Sequence, residues 1–321
     1  MSTDTRRSCV ITGGAGFIGS QLADNLLAQG HAVTAIDNLS WGKRDFLAHN
    51  LSNPGYTFID VDLLDTDALL AKFPDNVDVV FHLAANSDIM RGTVEPAIDL
   101  KNTTIATFNL LDTMRLRGVK QIFYTSGSGV YGDVGDTFTD ENFSPLLPIS
   151  MYGATKLAAE GMISAFVNLY DMQAWILRPA NIIGPRATHG VIYDFINKLR
   201  ANPKALSVFG DGQQSKSYLY VEDVIDAINL VWTKAHERIN VYNIGSSSYI
   251  TVTEIAEVVI DAMGLSGVEL EYSGGARGWK GDVPVVRLDT SRIEALGWVT
   301  RFTSRQAVEQ TVKDILETER A

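Results

Sequence analysis

Cysteine is almost missing from this chain, which has a single one, Cys9, among 321 residues. One cysteine excludes a disulfide framework within the chain, and its place in the apolar run 8–12 is typical of a small buried hydrophobe. The sequence also lacks an apolar leader at Met1–Arg7 and any apolar run of the roughly 18 residues that span a membrane. We therefore expect a cytoplasmic protein with no membrane partner.

Positive charge is scarce, with 27 Lys and Arg against 38 Asp and Glu and a formal net charge of −11. This excess of acid opposes binding to nucleic acid and to anionic lipid, so no nucleic-acid partner is expected. An anionic small ligand would need a local basic pocket. Hydrophobic residues make up 45% of the chain, which is enough for one large core or two.

A glycine-rich stretch separates the first predicted strand, 8–12, from a helix predicted over 20–29. Glycines at 13, 16 and 19 allow a tight turn, a close approach of backbone amides to a pyrophosphate, and packing of the helix on the strand. The next strand ends at Asp37, whose carboxylate can accept both ribose hydroxyls of NAD and would repel the 2′-phosphate of NADP. We predict an NAD site here.

Strands and helices alternate through the first half of the chain. The predicted strands after the first are 32–36, 56–61, 77–83 and 121–125, and the predicted helices between them are 66–73 and 96–117. This alternation predicts parallel βαβ units in a Rossmann-type doubly wound sheet of the α/β class, with ligands beyond the carboxyl ends of the strands. Asp62, Ala84, Ala85 and Thr125 stand at those ends.

The regular alternation stops after Leu177. The stretch 178–186 predicts a turn-rich linker, followed by helices over 191–200, 222–233 and 252–263 and by strands over 207–209 and 240–244. We predict two domains, an NAD-binding domain over 1–177 and a smaller α+β domain over 178–321, with some of the chain crossing back.

A phenol and an ammonium stand four residues apart at the start of the helix predicted over 152–170. Tyr152 and Lys156 then share one face, and the lysine charge would draw the tyrosine pKa of about 10 toward working pH. Such pairs also occur on many solvated helices. This helix and 96–117 carry a second apolar face, which fits a homodimer contact or further intramolecular core equally well.

Several motifs together carry a resemblance to a known family. They are Thr12-Gly13-Gly14-Ala15-Gly16-Phe17-Ile18-Gly19, Asp37-Asn38-Leu39-Ser40, His82-Leu83-Ala84-Ala85, Val130-Tyr131-Gly132, Tyr152-Gly153-Ala154-Thr155-Lys156, 189–196, Gly210-Asp211-Gly212-Gln213 and 277–284. The chain resembles the extended short-chain dehydrogenases/reductases that act on nucleotide sugars with NAD, and among them the UDP-glucose (UDP-galactose) 4-epimerases. The resemblance covers essentially the whole chain.

The resemblance implies a role for each matching position. Tyr152 would be the base, and Lys156 would support it and bind the nicotinamide ribose. The remaining cofactor positions, from pyrophosphate through adenosine to the central part, would be Gly13, Gly16, Phe17, Ile18, Asp37, Asn38, Asp62, Leu63, Leu83, Ala84, Ala85, Asn102, Thr125 and Pro179. The nucleotide end of a UDP-sugar substrate would meet Asn181, Gly190, Val191, Lys216, Tyr218, Arg277 and Asp282.

Two positions depart from the family pattern. Lys216 stands where the family usually has arginine, so it supplies charge without a bidentate fork. Gly127 stands where the family has a serine or threonine that helps to move the proton of the sugar O4. Either Ser126 or Ser128, or a water molecule, would supply the missing hydrogen bond. A simpler interpretation is that the glycines only relieve a tight strand-to-loop turn.

The loop at 125–129 also bears on which reaction is expected. By the same resemblance, related dehydratases and decarboxylases need acidic residues here, and this chain has Ser128 and Gly129. The expected chemistry is a 4-epimerisation that needs one base, a tightly held NAD and no metal. The alternatives are another sugar, such as a UDP-uronic acid or N-acetylhexosamine, another carbon, as in a 2-epimerase, or an inactive NAD- and nucleotide-sugar-binding protein.

Overall fold

A computed structural model describes residues 6–318, so most of the polar segment expected at Met1–Arg7 lies outside the described residues. The chain forms two compact units. The first contains the described residues up to Ser126 together with Ala154–Leu177 and Trp232–Val241, and the second contains Gly127–Gly153, Arg178–Val231 and the described residues from Tyr242 onward. Within 6–318, none of the helices combines the length and the apolar character needed to cross a membrane.

A seven-stranded sheet is the centre of the fold, in the order β12-β7-β5-β4-β1-β2-β3. The strands of the chain are β1 Ser8–Thr12, β2 Ala32–Asp37, β3 Tyr56–Asp60, β4 Val79–His82, β5 Gln121–Thr125, β6 Phe138–Thr139, β7 Gln173–Pro179, β8 Asn181–Ile183, β9 Ala205–Val208, β10 Ser215–Lys216, β11 Tyr218–Tyr220, β12 Ile239–Ile244, β13 Ile250–Thr251, β14 Glu269–Tyr272 and β15 Arg287–Leu288. From β3 to β7 every neighbouring pair is parallel. The predicted doubly wound Rossmann-type sheet is thereby confirmed.

The order of the sheet reverses between β1 and β4, which is where such folds bind dinucleotides. The central strands are apolar on both faces because helices cover both sides, and β4 is buried at all four positions. Aromatic side chains fill one layer: the ring centroids of Phe81 and Phe123 lie 4.9 Å apart, and those of Phe123 and Trp175 lie 4.6 Å apart. A dense aromatic layer thus packs across β4, β5 and β7.

Helices connect the strands and cover them. They are α1 Phe17–Ala28, α2 Thr66–Lys72, α3 Ile89–Val94, α4 Pro96–Asp99, α5 Ala106–Leu116, α6 Met151–Tyr170, α7 Val191–Ala201, α8 Val221–Lys234, α9 Val252–Ala262, α10 Ser291–Glu294 and α11 Ser304–Thr318. A π-helical segment, Leu100–Ile105, joins α4 to α5. The continuous helix predicted over 96–117 therefore carries a widened turn, a feature often found at functional sites.

Two differences from the sequence prediction bear on the site, namely the start of α1 and the stretch 178–186. Helix α1 begins at Phe17, directly after Gly16, so Gly19 lies inside the helix and not in a turn. An early start is needed if the first amides of the helix are to face the turn. The linker predicted over 178–186 is wrong, because β7 extends to Pro179 and β8 forms at Asn181–Ile183.

The linker prediction failed because strand pairing was invisible in the local pattern. Strand β8 pairs in parallel with β11, more than thirty residues along the chain, and the Pro and Gly residues of the stretch hide that pairing. Strand β12, predicted among the elements of the second half, is instead an edge strand of the main sheet beside β7.

Candidate active site

The turn after β1 is shaped by close backbone approaches. Gly13 has a φ of +71°, and a Cβ there would lie 2.8 Å from the amide nitrogen of Ala84, just beyond β4. A Cβ at Gly19 would lie 2.2 Å from the carbonyl oxygen of Gly13. Side chains are thus excluded where a pyrophosphate would meet the first amides of α1, at Phe17 and Ile18. This cradle fits a dinucleotide.

Asp37 anchors the other side of this turn. Its Oδ2 accepts a hydrogen bond from the Ala15 amide at 3.0 Å, and its Oδ1 accepts one from the Leu39 amide at 2.7 Å. Burial raises the pKa of this carboxyl, and the two amides oppose that rise. A Cβ at Gly42 would lie 2.9 Å from Oδ1, so the following loop closes tightly over the carboxylate. Each oxygen keeps a lone pair for a ribose hydroxyl.

The residues assigned to the adenine side lie together. Asn38 donates its amide to Asp62 Oδ2 at 2.9 Å, and the other oxygen of Asp62 accepts from the Leu64 amide at 2.8 Å. The Leu63 carbonyl accepts a hydrogen bond from the Asn109 side chain at 2.9 Å. The first contact joins the end of β2 to the loop after β3, and the last joins that loop to α5.

A buried hydrogen-bond chain that the sequence did not reveal lies at the carboxyl ends of β1 and β4. His82 Nδ1 lies 2.7 Å from Thr12 Oγ1, and His82 Nε2 lies 2.8 Å from Thr107 Oγ1. Because Thr107 donates to the Thr103 carbonyl at 2.6 Å, Nε2 of His82 is the donor and Nδ1 the acceptor. Burial lowers the His82 pKa to about 3, so the ring is neutral, and its two hydrogen bonds join β4 to β1 and to α5.

Two buried polar atoms without a hydrogen-bond partner among the described residues lie where α4 meets the π-helical segment. Thr103 Oγ1 in the π segment and Asp99 Oδ2 at the end of α4 are buried without a hydrogen-bond partner among the described residues. Asp99 Oδ1 accepts from the Asn86 amide at 2.8 Å, and burial raises the Asp99 pKa. Asn102, assigned to the cofactor, is partly exposed beside them. A buried acid here was also missed, since nothing in its local sequence distinguishes it from a solvated one.

Helix α6 presents Tyr152 and Lys156 at i and i+4, as predicted. The Lys156 side chain is buried, and its Nζ donates to the Thr125 carbonyl at 2.7 Å and lies 5.0 Å from the centroid of the Tyr124 ring. Burial lowers the Lys156 pKa to about 8, while Glu160 and Asp99 act to raise it. The ammonium is thus charged at neutral pH without being surrounded by water.

Gly127 leaves room beside the tyrosine. Its φ of 176° is extended backbone that any residue adopts, and a Cβ there would lie 3.8 Å from the Tyr152 hydroxyl oxygen, an ordinary contact. The glycine at 153 differs, because a Cβ would lie 2.5 Å from the Gly129 carbonyl oxygen. A tight turn therefore explains Gly153 but not Gly127.

The two serines beside Gly127 are in different situations. Ser126 is buried, and its Oγ lies 2.5 Å from Glu160 Oε1, to which it donates. Ser128 begins a 3₁₀ turn, Ser128–Tyr131, and its hydroxyl makes no hydrogen bond to any part of the chain that the structure describes. The Ser126 hydroxyl is therefore already hydrogen-bonded to Glu160. The Ser128 hydroxyl can still donate to another partner.

The positions assigned to the substrate all lie in the second unit, where they form three groups. Asn181 and Tyr218 face each other in register on β8 and β11, near Pro179 at the end of β7. Gly190 and Val191 form the N-terminal end of α7. The charged residues Lys216, Arg277 and Asp282 make up the third group.

Each cation of the third group has a carboxylate partner. Lys216 Nζ lies 2.6 Å from Asp282 Oδ1 and 5.4 Å from the Trp279 ring centroid. Arg277 lies 2.6 Å from Asp133, a residue that the sequence did not single out. Asp282 is buried and also accepts from the Gly278 amide at 3.1 Å, so it orders the loop that carries Arg277.

Comparison with known proteins gives consistent matches over the whole chain. Residues 9–245 match the model of the NAD dependent epimerase/dehydratase family. A UDP-glucose 4-epimerase of Mycolicibacterium smegmatis is 34% identical over 95% of this chain and 97% of its own. A solved UDP-glucose 4-epimerase from Thermotoga maritima, in a structure with UDP-glucose, has a TM-score of 0.87 at 32% identity, over 97% of this chain and 99% of that one.

A relative with a different named sugar matches nearly as well. The UDP-N-acetylglucosamine 4-epimerase of Methanobrevibacter ruminantium, solved in complex with UDP-N-acetylmuramic acid, has a TM-score of 0.85 at 29% identity, over 98% of this chain and 99% of that one. Relatives that are named for different sugar substrates thus resemble this chain to nearly the same degree in sequence and in structure.

Proposed function

Since this chain belongs to the NAD-dependent epimerase/dehydratase family, we propose that it is a 4-epimerase that interconverts UDP-glucose and UDP-galactose. The chain is an NAD-dependent nucleotide-sugar epimerase, an isomerase by class, and the glycine cradle and Asp37 fit NAD. The observation that carries the finer proposal is the pairing of Tyr152 with the buried Lys156 on α6, in a chain whose relatives include named UDP-glucose 4-epimerases.

In this mechanism Tyr152 takes the proton of the sugar 4-hydroxyl and later returns it. The Lys156 ammonium, held by the Thr125 carbonyl, favours the phenolate and so brings the tyrosine nearer to working pH. When bound, NAD would supply the redox chemistry, as acceptor and then donor of the C4 hydride on either side of a 4-keto sugar that turns in the site. No external reductant is consumed, because the oxidation and the reduction cancel.

The second unit would hold the nucleotide diphosphate. We propose that Lys216 and Arg277 supply its positive charge, with Asn181, Gly190, Val191, Tyr218 and Asp282 around them. Each of these two cations already neutralises one carboxylate. Lys216 and Arg277 would therefore orient the diphosphate more than they would add net positive charge to the site. The single ammonium of Lys216 offers a point contact where a guanidinium would offer a fork.

A panel of UDP-, GDP-, CDP- and dTDP-sugars, followed by NMR, tests the proposal. Inversion at C4 of UDP-glucose and UDP-galactose, approaching one equilibrium from both sides, is the expected result. If inversion occurs only with an N-acetylhexosamine or a uronic acid, the proposed substrate is wrong. If inversion occurs at C2, the proposed 4-epimerisation is wrong. If the protein binds NAD but converts none of these sugars, the result favours an inactive protein that binds NAD and nucleotide sugars.

The proton relay is the unusual part of this site. Ser126 donates to Glu160, so we propose that Ser128 or a water molecule beside Gly127 takes the place of the missing hydroxyl. The space next to the Tyr152 hydroxyl supports this proposal, since a Cβ at residue 127 would make only ordinary contacts there. A hydroxyl one bond further could reach hydrogen-bond distance of the phenol.

Gly127→Ser is expected to raise kcat about tenfold, because it supplies a fixed hydroxyl to the proton path. Gly127→Ala is the matched control, which fills the same space without a hydroxyl and should not raise kcat. Ser128→Ala distinguishes the two present candidates: a fall in kcat identifies the serine, and an unchanged kcat identifies water. Equal kcat values for the Ser and Ala variants at 127 would show that no hydroxyl is needed there.

We also propose that the protein is a homodimer that pairs through α5 and α6. Apolar side chains stay exposed along these helices, including Phe108 at 47% and Leu169 at 70%. The Phe108 ring packs edge-on against Phe166 of α6, with centroids 6.1 Å apart, so the two helices share one face. An apolar patch of this kind is typical of a protein contact.

Phe108→Glu is therefore expected to shift the protein from dimer to monomer in sedimentation velocity at micromolar concentration, because it buries a charge in the contact. Val299→Glu is the control, since Val299 is 78% exposed and lies in the second unit. A monomeric starting protein, or a dimer that survives Phe108→Glu, would contradict the proposed interface.

A further inference from the structure

A buried carboxylate follows Lys156 by one turn of α6. Glu160 is 6% exposed and Lys156 is 3% exposed, and residues at i and i+4 lie on one face of a helix. Removing a carboxylate from water is costly unless it is paired or hydrogen-bonded. A glutamate that only filled space at this position would therefore lower the stability of the fold.

Two consecutive residues, the last of β5 and the one after it, hold this face of α6. The carbonyl of Thr125 accepts from Lys156 Nζ at 2.7 Å, and the hydroxyl of Ser126 lies 2.5 Å from Glu160 Oε1. Both contacts are buried and both join the helix to the strand end next to Gly127. The ammonium and the carboxylate are thus fixed to the same short piece of backbone.

The groups that face Lys156 come from several elements. Glu160 and Tyr152 lie one turn to either side on its own helix, Asp99 at the end of α4 acts on it electrostatically, and Tyr124 of β5 places its ring 5.0 Å from Nζ. His82 of β4 is neutral, because burial lowers its pKa to about 3. Burial favours the uncharged amine and lowers the Lys156 pKa, while the negative charges of Glu160 and Asp99 act to raise that pKa and so favour the ammonium.

We propose that Glu160, held by Ser126, is a positioning residue that keeps Lys156 charged and in place. The proposal deepens the proposed function, on which its kinetic consequence rests. Glu160 touches neither the sugar nor the cofactor in this assignment, and it acts only through the lysine. Nothing in the sequence pattern of the helix marks it, since a glutamate at that spacing is ordinary on an exposed face.

The direct test is the titration of Lys156, followed through its ¹³Cε chemical shift in holoenzyme with ¹³C-labelled lysine and assigned with Lys156→Arg. Glu160→Gln removes the negative charge at nearly constant shape, so the midpoint should move about one unit below that of the parent protein. Ser126→Ala removes the hydroxyl that fixes Glu160, so the carboxylate is held less firmly beside Lys156 and the variant should give a smaller shift in the same direction. Glu257→Gln, on an exposed position of α9, should leave the midpoint unchanged.

The epimerase pH profile supplies the second measurement. In Glu160→Gln the alkaline limb of kcat should move to lower pH with the lysine midpoint, and kcat at pH 6.5, where the ammonium remains charged, should stay near that of the parent. An unmoved lysine titration in both Glu160→Gln and Ser126→Ala, with parental melting curves, would overturn the proposal. A shifted titration in protein inert toward every sugar would refute the proposed function and leave the role of Glu160 standing.

Discussion

Tyr152→Phe is expected to lower kcat by about 10³-fold, with folding and NAD binding unchanged. The variant keeps the ring and loses only the hydroxyl, the group that moves the proton of the sugar oxygen. General acid–base groups contribute roughly 10² to 10⁴ to a rate, and no other titratable side chain is assigned to this step. Lys156 would then face a ring that cannot ionise.

The measurement is the initial rate of C4 inversion by NMR, beside the NAD content of the purified variant and its melting curve. Tyr170→Phe is the matched control, because it removes a hydroxyl from an exposed tyrosine at the other end of the same helix. A Tyr152→Phe variant that kept a tenth or more of the parental kcat would show that another group is the base.

Gly19→Ala is expected to remove NAD binding, raising the Kd for NAD about 100-fold or more. Its Cβ would lie 2.2 Å from the Gly13 carbonyl oxygen and 3.0 Å from the Gly14 Cα, which are backbone atoms that cannot turn aside. Either α1 or the turn must move, and both shape the pyrophosphate cradle. We expect the free energy of unfolding to fall by about 3 kcal/mol, the cost of a strongly overpacked site.

Calorimetric titration of NAD into protein freed of cofactor, and denaturant unfolding, measure the two effects. Gly161→Ala in α6 is the control, since among residues 6–318 nothing outside the surrounding helix backbone lies within 4 Å of the added Cβ, and alanine favours the helix by about 1 kcal/mol. Parental NAD affinity in Gly19→Ala would mean that the close approach at this position does not shape the cofactor site.

The local features around the candidate site were readable from contiguous sequence. Glycine spacing after β1, the acid that ends β2 and the apolar strand β4 are each readable within a few residues, and the family matches confirm NAD as the cofactor. The pairing of Tyr152 with Lys156 likewise needs only the period of a helix. Local pattern is sufficient for these features because each is a property of one element.

Features that depend on distant pairing were missed or wrong. The linker predicted over 178–186 contains β8, because its partner β11 lies far along the chain. Strand β12 belongs to the main sheet for the same reason. Of the two serines proposed for the proton relay, the structure shows that Ser126 is hydrogen-bonded to Glu160. The two residues in that contact are 34 positions apart in the chain, and no regular spacing in the sequence predicts such a pair.

By itself the sequence determined the class of fold, the cofactor, and the tyrosine and lysine that share one helix, because periodicity and glycine spacing encode them locally. The tertiary structure decided what surrounds that pair. It placed Glu160 against Ser126, left space at Gly127, and buried His82 between Thr12 and Thr107, in contacts that span 25 to 70 residues of chain. Such contacts arise only when strands and helices pack, and that packing sets burial, and with it the charge of Lys156.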